Sequence, residues 1–588
     1  MSQVMDDVEP RFSCEILNKP LTHGVFIAVG SLFLLLTAFH GDIWFDESYS
    51  VAIASQSFSA IWTYGSCDVH PILYYCALHI LYLIAGVGFG ANTTILITVY
   101  RVFTVLGAIT LALLGYTHIR KDFGTKTGVF FSLLVVGMPF IAFMAVEIRM
   151  YTWAMFFVAV CFVYALRIMR TAPQKAPIPL HWWILFALSS LASAYLHYFA
   201  AIAAFLINLL LLIRLINCIG KKDKNTCKAS CLDGKVTEEK ISKKNLLTFI
   251  VCACLQIAAY APWLWVLANQ ISVVSGTYWA TFSFPHTVFE LLGYPYLTST
   301  IMFALFGSYG VVIQVGTALL LVLFLLVLLV TVGRIMHTAA FNDMVKHTAI
   351  CGIIVYVGVL AIGCVASLLM GQLIVYYRYL SVALGPLVLS LSLVLAYTKP
   401  GILVKAFFAL TILIALINQA LLIYDDYSLE NQKPLTKFVD AVSSCVEENN
   451  ADESGANGST SENDGNCTGK SDNDKSDALV LSSDIGFMGV TSVLYPEIDQ
   501  TYLDWQPGNW GTAYRVYEPA LRSVKSWDEA LKDYEGEFVV IGQTRNGSIP
   551  KDVLDIAEED GVEQLSVETY YRPYERAFFT IAIMEHSL

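Results

Sequence analysis

Long apolar runs recur roughly every 20 to 30 residues through residue 423, and short polar segments separate them. A transmembrane helix needs about 20 mostly apolar residues, and these runs are long enough. They predict about eleven spans, at residues 23–40, 94–117, 127–146, 150–169, 182–196, 198–216, 246–268, 307–333, 348–370, 379–397 and 402–423. We therefore predict an all-α polytopic membrane bundle over residues 23–423, preceded by a cytoplasmic N-terminus at residues 1–22.

The pattern changes after the last apolar run. Residues 424–446 read as a connecting segment, and residues 447–477 are so poor in apolar side chains that they predict a disordered acidic insertion. Residues 478–588 alternate short apolar strands with helical segments, which is typical of a small α/β domain. Strands are expected at 478–482, 514–517 and 537–542, helices at 527–534 and 551–559, and a strand pair at 570–584.

Composition supports a membrane protein and excludes a soluble globule. Hydrophobic residues make up 56% of the 588 positions and charged residues only 14%, whereas soluble domains carry about 25% charged residues. Of the 48 acidic residues 32 lie after residue 423, but only 12 of the 36 basic ones do. This asymmetry favours an acidic, exported C-terminal domain and gives no reason to expect nucleic acid as a partner.

The positions of lysine and arginine decide the topology around one ambiguous segment, Pro71–Gly88. If this segment lies along the outer surface or is re-entrant, the main basic segments all fall on the cytoplasmic side. These segments are Arg120–Lys126, Arg167–Lys175, Lys221–Lys244 and Arg334–Lys346. If it crosses the bilayer, the first three lie outside, against the positive-inside tendency. We therefore expect a juxtamembrane or re-entrant Pro71–Gly88 and an extracytoplasmic C-terminal domain.

The loop after the first span carries the first candidate chemistry. Asp46 and Glu47 are adjacent, an amphipathic stretch at 53–64 predicts a juxtamembrane helix, and Asp68 and His70 close the loop. Adjacent carboxylates at a bilayer surface repel each other and lose solvation, costs that a purely structural loop has no reason to bear. This loop is therefore the predicted reaction centre.

Few arginines fall on the outer side under this topology, namely Arg101, Arg149 and Arg378. An interfacial arginine often extends toward water, and a salt bridge between Glu147 and Arg149 is an equally simple explanation for that pair. Three guanidiniums on the face that carries the carboxylates also suit an anion site, because guanidinium binds phosphate oxygens in bidentate fashion.

The outer-face motifs occur in a characteristic order. They are Asp46-Glu47, Asp68-Val-His70-Pro71, Glu147-Ile-Arg149-Met-Tyr151, His197-Tyr198-Phe199 and Arg378-Tyr379-Leu380. Over roughly residues 20 to 425 this order resembles the GT-C superfamily of membrane glycosyltransferases, whose donors are sugars on polyprenyl phosphate or diphosphate. The first two motifs are similar to those of protein O-mannosyltransferases and related bacterial transferases, although position 72 is Ile where a second proline is commoner.

The resemblance implies an inverting glycosyltransferase of the cell envelope, with the lipid bilayer as its surroundings. Asp46 would accept the proton of an acceptor hydroxyl, and Glu47 would raise the pKa of Asp46, contact a sugar hydroxyl or cap a helix. Arg149 and Arg378, with Arg101, would bind the leaving phosphate.

The remaining motif residues receive less specific roles. Asp68 and His70 would bind the donor phosphate, an acceptor, or a divalent metal together with Asp46, but their spacing favours no particular metal and requires none. The residues expected to support the site are Glu147, Tyr151, His197, Tyr198 and Tyr379.

Two alternative functions remain open. One is protein O-mannosyltransfer to serine or threonine of a secreted protein. The other is a transporter or flippase for a lipid-linked sugar, although transporters tend to show internal repeats and midplane charges. The sugar, which we expect to be a hexose or a pentose, and the acceptor, whether glycan, lipid or protein, are not specified by the sequence.

Overall fold

The computed structural model describes residues 19–174, 177–220, 232–277, 343–397, 402–456, 478–503 and 509–587, with isolated helical positions at 326, 329–330, 333 and 337. The expected span at 307–333 therefore lies almost wholly outside the described residues. By its internal contacts the chain forms two compact units. The first comprises Met1–Phe39, Val69–Tyr74 and Tyr100–Leu422, and the second comprises His40–Asp68, Tyr75–Val99 and Ile423–Leu588.

Helices dominate the described part of the chain up to residue 456. They are α1 (Pro20–Leu36), α2 (Phe45–Ala54), α3 (Phe58–Gly65), α4 (Leu73–Leu81), α5 (Thr93–Leu114), α6 (Arg120–Phe123), α7 (Thr125–Gly137), α8 (Pro139–Val146), α9 (Tyr151–Thr171), α10 (Leu180–Leu196), α11 (Tyr198–Gly220), α12 (Leu232–Thr277), α13 (Asp343–Met370), α14 (Tyr377–Leu380), α15 (Leu384–Tyr397), α16 (Ile402–Asp426) and α17 (Lys433–Ala456).

Six helices in the described residues are long and apolar enough to cross a membrane, or seven if α7 and α8 form one span. The bend between α7 and α8 is 57°. Proline explains this bend, because Met138 takes an extended conformation before Pro139, which opens the next helix. The prediction of a mostly helical multi-pass membrane protein is confirmed, while the count of about eleven spans stays a prediction.

The segment 71–88 forms helix α4, which continues as a π-helical stretch over Tyr82–Gly88. Its apolar helix is shorter than the spans described above. Whether this segment crosses the bilayer stays a prediction.

Small residues bring helices of the first unit into close contact. Gly352 of α13 lies against Ser390 and Pro386 of α15, and Gly385 lies against Ala159 of α9. Such residues let helix backbones approach within a membrane, where apolar side chains gain little by leaving lipid.

The second unit contains a six-stranded sheet built from the C-terminal residues. Its strands are β1 (Val480–Ser482), β2 (Gln500–Leu503), β3 (Leu521–Val524), β4 (Gly536–Thr544), β5 (Val562–Arg572) and β6 (Ala577–His586), in the order β3-β2-β1-β4-β6-β5. The first four strands run parallel, and β6 pairs antiparallel with both β4 and β5. Helices α18 (Ile485–Leu494), α19 (Asn509–Tyr514), α20 (Trp527–Leu531) and α21 (Lys551–Ile556) connect the strands.

The expected strands and helices in the C-terminal residues are confirmed as a small sheet region, while a separate domain bounded at residues 478–588 stays a prediction. The core of this region packs Leu481, Phe538 and Val540 of the sheet against Trp527 and Ile556 of the helices.

Two expectations for the tail were wrong in detail. Residues 514–517 end helix α19 and form a 3-10 turn instead of a strand, and the hydroxyl of Tyr517 lies 3.0 Å from that of Ser48. Helix α17 includes residues 447–456, so these residues do not belong to a disordered insertion, and residues 457–477 lie outside the described part. Within this helix the Asn449 side-chain carbonyl accepts from the Glu537 amide at 2.7 Å, which ties the helix to strand β4.

Candidate functional site

Two buried histidines from distant segments meet in the first unit. His70 precedes helix α4 and His197 lies at the break between α10 and α11, and they are only 3% and 2% exposed. Their ring centroids are 5.2 Å apart. The rings of Tyr151 and Tyr379 lie 5.6 and 5.0 Å from that of His197. We call these four residues the His–Tyr cluster.

Two guanidiniums lie beside the His–Tyr cluster. Arg149, 4% exposed, occupies the turn between α8 and α9, and Arg378 opens helix α14. Burial lowers the pKa of His70 well below its ordinary value, and the positive charges of Arg149 and Arg378 add to this effect. Arg378 Nη1 lies 3.8 Å from Glu147 Oε2. The Glu147 carboxylate therefore lies next to the Arg378 guanidinium.

One ring nitrogen of each histidine is buried and could bind another molecule. His197 Nδ1 accepts from the Phe199 amide at 3.1 Å, so a neutral ring carries its proton on Nε2. Burial, and then the charge of Arg149, lowers the pKa of His197 to about 3. Within the described residues, His197 Nε2 and His70 Nδ1 have no hydrogen-bond partner. Buried polar atoms are rarely left unpaired, and the adjacent positive charge makes an anion the fitting partner.

Two other predicted residues contact neighbouring helices. Arg101 is fully buried and its Nε donates to the carbonyl of Val146 at 2.9 Å, at the end of helix α8. Arg101 thereby fixes the turn that carries Arg149. The Tyr198 hydroxyl donates to Gln270 and accepts from Trp263 Nε1, both in helix α12. These contacts suit a structural role for Arg101 and Tyr198.

The second unit carries the acidic residues of the first loop. Asp46 and Glu47 lie in the first turn of α2, where negative charge suits the helix N-terminus. Asp46 is partly exposed and Glu47 is fully buried. The Glu47 carboxylate accepts from the Trp44 amide at 3.3 Å and from the Tyr574 hydroxyl at 2.6 Å. Of the roles left open for Glu47, these contacts correspond to helix capping.

Asp46 and Asp68, at the two ends of the first loop, both lie near the Tyr514 phenol. Burial raises the pKa of Tyr514, and Tyr502, Asp68 and Asp46 raise it further. Asp68 is 7% exposed and accepts from the Tyr75 hydroxyl at 2.9 Å. Both carboxylates therefore act electrostatically on one tyrosine of the C-terminal residues.

No metal site is evident among the residues that the structure describes. No three His, Cys, Asp or Glu side chains there are grouped so as to hold an ion. The possible set of Asp46, Asp68 and His70 gains no support from this finding.

Sequence reasoning missed the residues that contact the start of helix α2 from the C-terminal domain. Arg572 is fully buried and bonded to both Asp42 and Glu575. Tyr574, in the same turn, bonds to Glu47. The local sequence offers only a pair of arginines and a glutamate in a short turn between two strands.

These features define a multi-pass helical membrane protein with a C-terminal sheet region, two arginines beside a pair of buried histidines, and acidic residues in its first loop. Among solved structures, the chain is similar to a crystal structure of ArnT from Cupriavidus metallidurans in the apo state. The two are 11% identical, the match covers 95% of this chain and 97% of that chain, and the TM-score is 0.41. No protein-family model matches the sequence, and no curated protein does.

Proposed function

We propose that this protein is an inverting glycosyltransferase that moves one sugar from a polyprenyl-phosphate carrier to an acceptor outside the cytoplasm. The observation that carries the proposal is the pair formed by the buried Arg149 and by Arg378, whose side chain is 14% exposed, beside the buried imidazoles of His70 and His197. Such a group fits a phosphate whose negative charge increases as the sugar leaves. Positive charges and fixed N–H donors at that position stabilise the transition state.

The proposed reaction needs one base and one leaving group. Asp46 takes the proton of the acceptor hydroxyl while that oxygen bonds to the sugar C1. The bond between C1 and the phosphate oxygen breaks from the opposite face, and the polyprenyl phosphate departs with the electron pair. The product has the inverted anomeric configuration, and Asp46 then passes its proton to solvent. Partial exposure of Asp46 allows both the acceptor and water to reach it.

The depressed pKa values give the histidines a specific part in this scheme. His70 and His197 are neutral at neutral pH because burial and nearby arginine oppose their protonation. The Nε2 proton of His197 is then available to a phosphate oxygen, while the two arginines supply the charge. The site thereby holds an anion without accumulating four positive charges in a buried place.

Binding of undecaprenyl phosphate tests whether Arg149 and Arg378 bind the phosphate of the carrier lipid. In nanodiscs, Arg149→Gln and Arg378→Gln should each weaken binding of this lipid by about 10- to 100-fold, the value of one hydrogen bond to a charged group. Lys121→Gln removes an exposed positive charge from the same unit and serves as the control. Equal affinity in all three variants would show that neither arginine binds the carrier phosphate.

Transfer itself is tested with radiolabelled undecaprenyl-phosphate hexoses and pentoses in proteoliposomes. Label attached to an added glycan, lipid or secreted-protein acceptor supports the proposal and identifies the acceptor class. Intact carrier that only changes leaflet would instead indicate a flippase.

A further inference from the structure

The turn that joins β5 to β6 lies against the start of the acidic helix α2. We define residues 572–576 as the hairpin turn. The fully buried Arg572 donates through Nη1 to the Ile43 carbonyl at 2.9 Å and through Nη2 to Asp42 Oδ1 at 3.0 Å. Asp42 and Ile43 come immediately before helix α2. One guanidinium of the C-terminal domain therefore fixes the backbone that leads into the acidic helix.

A second contact reaches the first turn of α2. Tyr574 donates its hydroxyl proton to Glu47 Oε2, and the same oxygen accepts from the Trp44 amide. Because Glu47 is fully buried, it depends on these protein partners in place of water. Its neighbour Asp46 is partly exposed. Because both residues belong to the first turn of one helix, holding Glu47 sets the rotation of that turn and so the direction in which the Asp46 side chain leaves it.

The hairpin turn is itself held rigidly. The Tyr574 amide donates to Asn431 Oδ1 at 2.9 Å, and the Asn431 amide group donates to the Asp425 carbonyl at 2.6 Å. Arg576 has φ +53°, a left-handed conformation that costs a non-glycine residue about 1 kcal/mol or more, and its guanidinium lies 3.4 Å from the Asp425 carboxylate. A conformation of that cost persists where its surroundings impose it.

We propose that the hairpin turn of the C-terminal domain is a positioning element of the active site, with Tyr574 as a positioning residue that aims Asp46 through Glu47. The C-terminal domain thereby takes part in catalysis without contacting the sugar. This inference rests on the proposed function for its catalytic consequence, but its structural consequence can be measured without any substrate.

Tyr574→Phe removes only the hydroxyl, and Tyr570→Phe is its matched control. Tyr570 belongs to the same hairpin, and its hydroxyl bonds to Glu568 of the same strand. Hydrogen–deuterium exchange of the full chain in nanodiscs should show amides of residues 44–48 exchanging about tenfold faster in Tyr574→Phe. Tyr570→Phe should exchange there like wild type.

The same two variants are then assayed for transfer. Tyr574→Phe should lower kcat about tenfold and leave the KM for the donor within about twofold, because the phosphate-binding residues are untouched. Adding Tyr574→Phe to Glu47→Gln should give no further loss of kcat, because the hydroxyl acts only through that carboxylate. A purely structural role would lower the amount of folded protein without this non-additivity.

The outcomes separate the two proposals. Faster exchange in Tyr574→Phe with no transfer by wild type would support the positioning contact and refute the glycosyltransferase. Transfer by wild type, with Tyr574→Phe matching Tyr570→Phe in both exchange and kcat, would refute the positioning element and leave the glycosyltransferase standing.

Discussion

Replacing Arg572 by methionine should destabilise the second unit severely. Methionine has similar length but no N–H groups, so it removes bonds to Asp42, Glu575 and the carbonyls of Ile43 and Asn431. Two buried carboxylates then lose their cation. Removing one partner of a buried ion pair costs about 3–5 kcal/mol.

The free energy of unfolding lost in Arg572→Met should increase with pH. Burial raises the pKa of Glu575 to about 7, although Arg572 attracts its charged form. Above pH 7 Glu575 is ionised and Arg572 stabilises its charge. Below pH 7 Glu575 is protonated, so the loss of Arg572 leaves no unpaired charge at Glu575. The difference between wild type and Arg572→Met should therefore be largest near pH 8 and shrink as the pH falls toward 5.

Pulse proteolysis in urea measures this free energy in the full chain, with a C-terminal tag to follow the second unit. Arg522→Met is the matched control, because its guanidinium is 73% exposed and pairs with Asp499 at 3.1 Å. Exposed pairs contribute about 0–1 kcal/mol. The reasoning fails if Arg572→Met unfolds within 1 kcal/mol of that control at pH 8.

Two further substitutions test other parts of the account. Asp484→Asn removes a carboxyl whose pKa burial raises from 3.8 to about 6. Wild type should therefore lose about 3 kcal/mol relative to this variant as the pH rises from 3.8 to about 6, by the same proteolysis assay. Gly352→Ala places a methyl group against Ser390 and Pro386 and should cost about 1–3 kcal/mol, seen as a lower Tm of the detergent-solubilised protein.

Each of these variants has a control. Asp533→Asn, which removes a carboxyl from an exposed position, is the control for Asp484→Asn. Gly24→Ala adds a methyl group where nothing lies within 4 Å, and it should raise the Tm slightly through helix propensity. A Gly352→Ala protein as stable as Gly24→Ala would contradict the close packing of α13 on α15.

The membrane helices were predictable because apolar periodicity is a local property of the chain. The bend between α7 and α8 was not, since the run at 127–146 is apolar throughout and only Pro139 marks the break. In the tail, β1 and β4, whose central residues are buried, were found, whereas β2 and β3 are short and half-exposed and carry little pattern.

The site was predictable only as a set of residue types in short motifs. Short motifs pointed to His70 and His197, whose rings do meet, but no spacing rule connects positions so far apart in sequence. The bond between Arg572 and Asp42 spans 530 positions and leaves no local signal in either segment. A buried ion pair of this kind becomes visible only when the fold brings its partners together.

The most direct test of the central claim is sugar transfer by Asp46→Asn in proteoliposomes with a labelled undecaprenyl-phosphate sugar. Asparagine keeps the shape of the side chain but cannot take the acceptor proton, so kcat should fall by about 10²- to 10⁴-fold while the Tm and donor binding stay those of wild type. Asp533→Asn should transfer normally. Turnover by Asp46→Asn within a few-fold of that control would contradict the account.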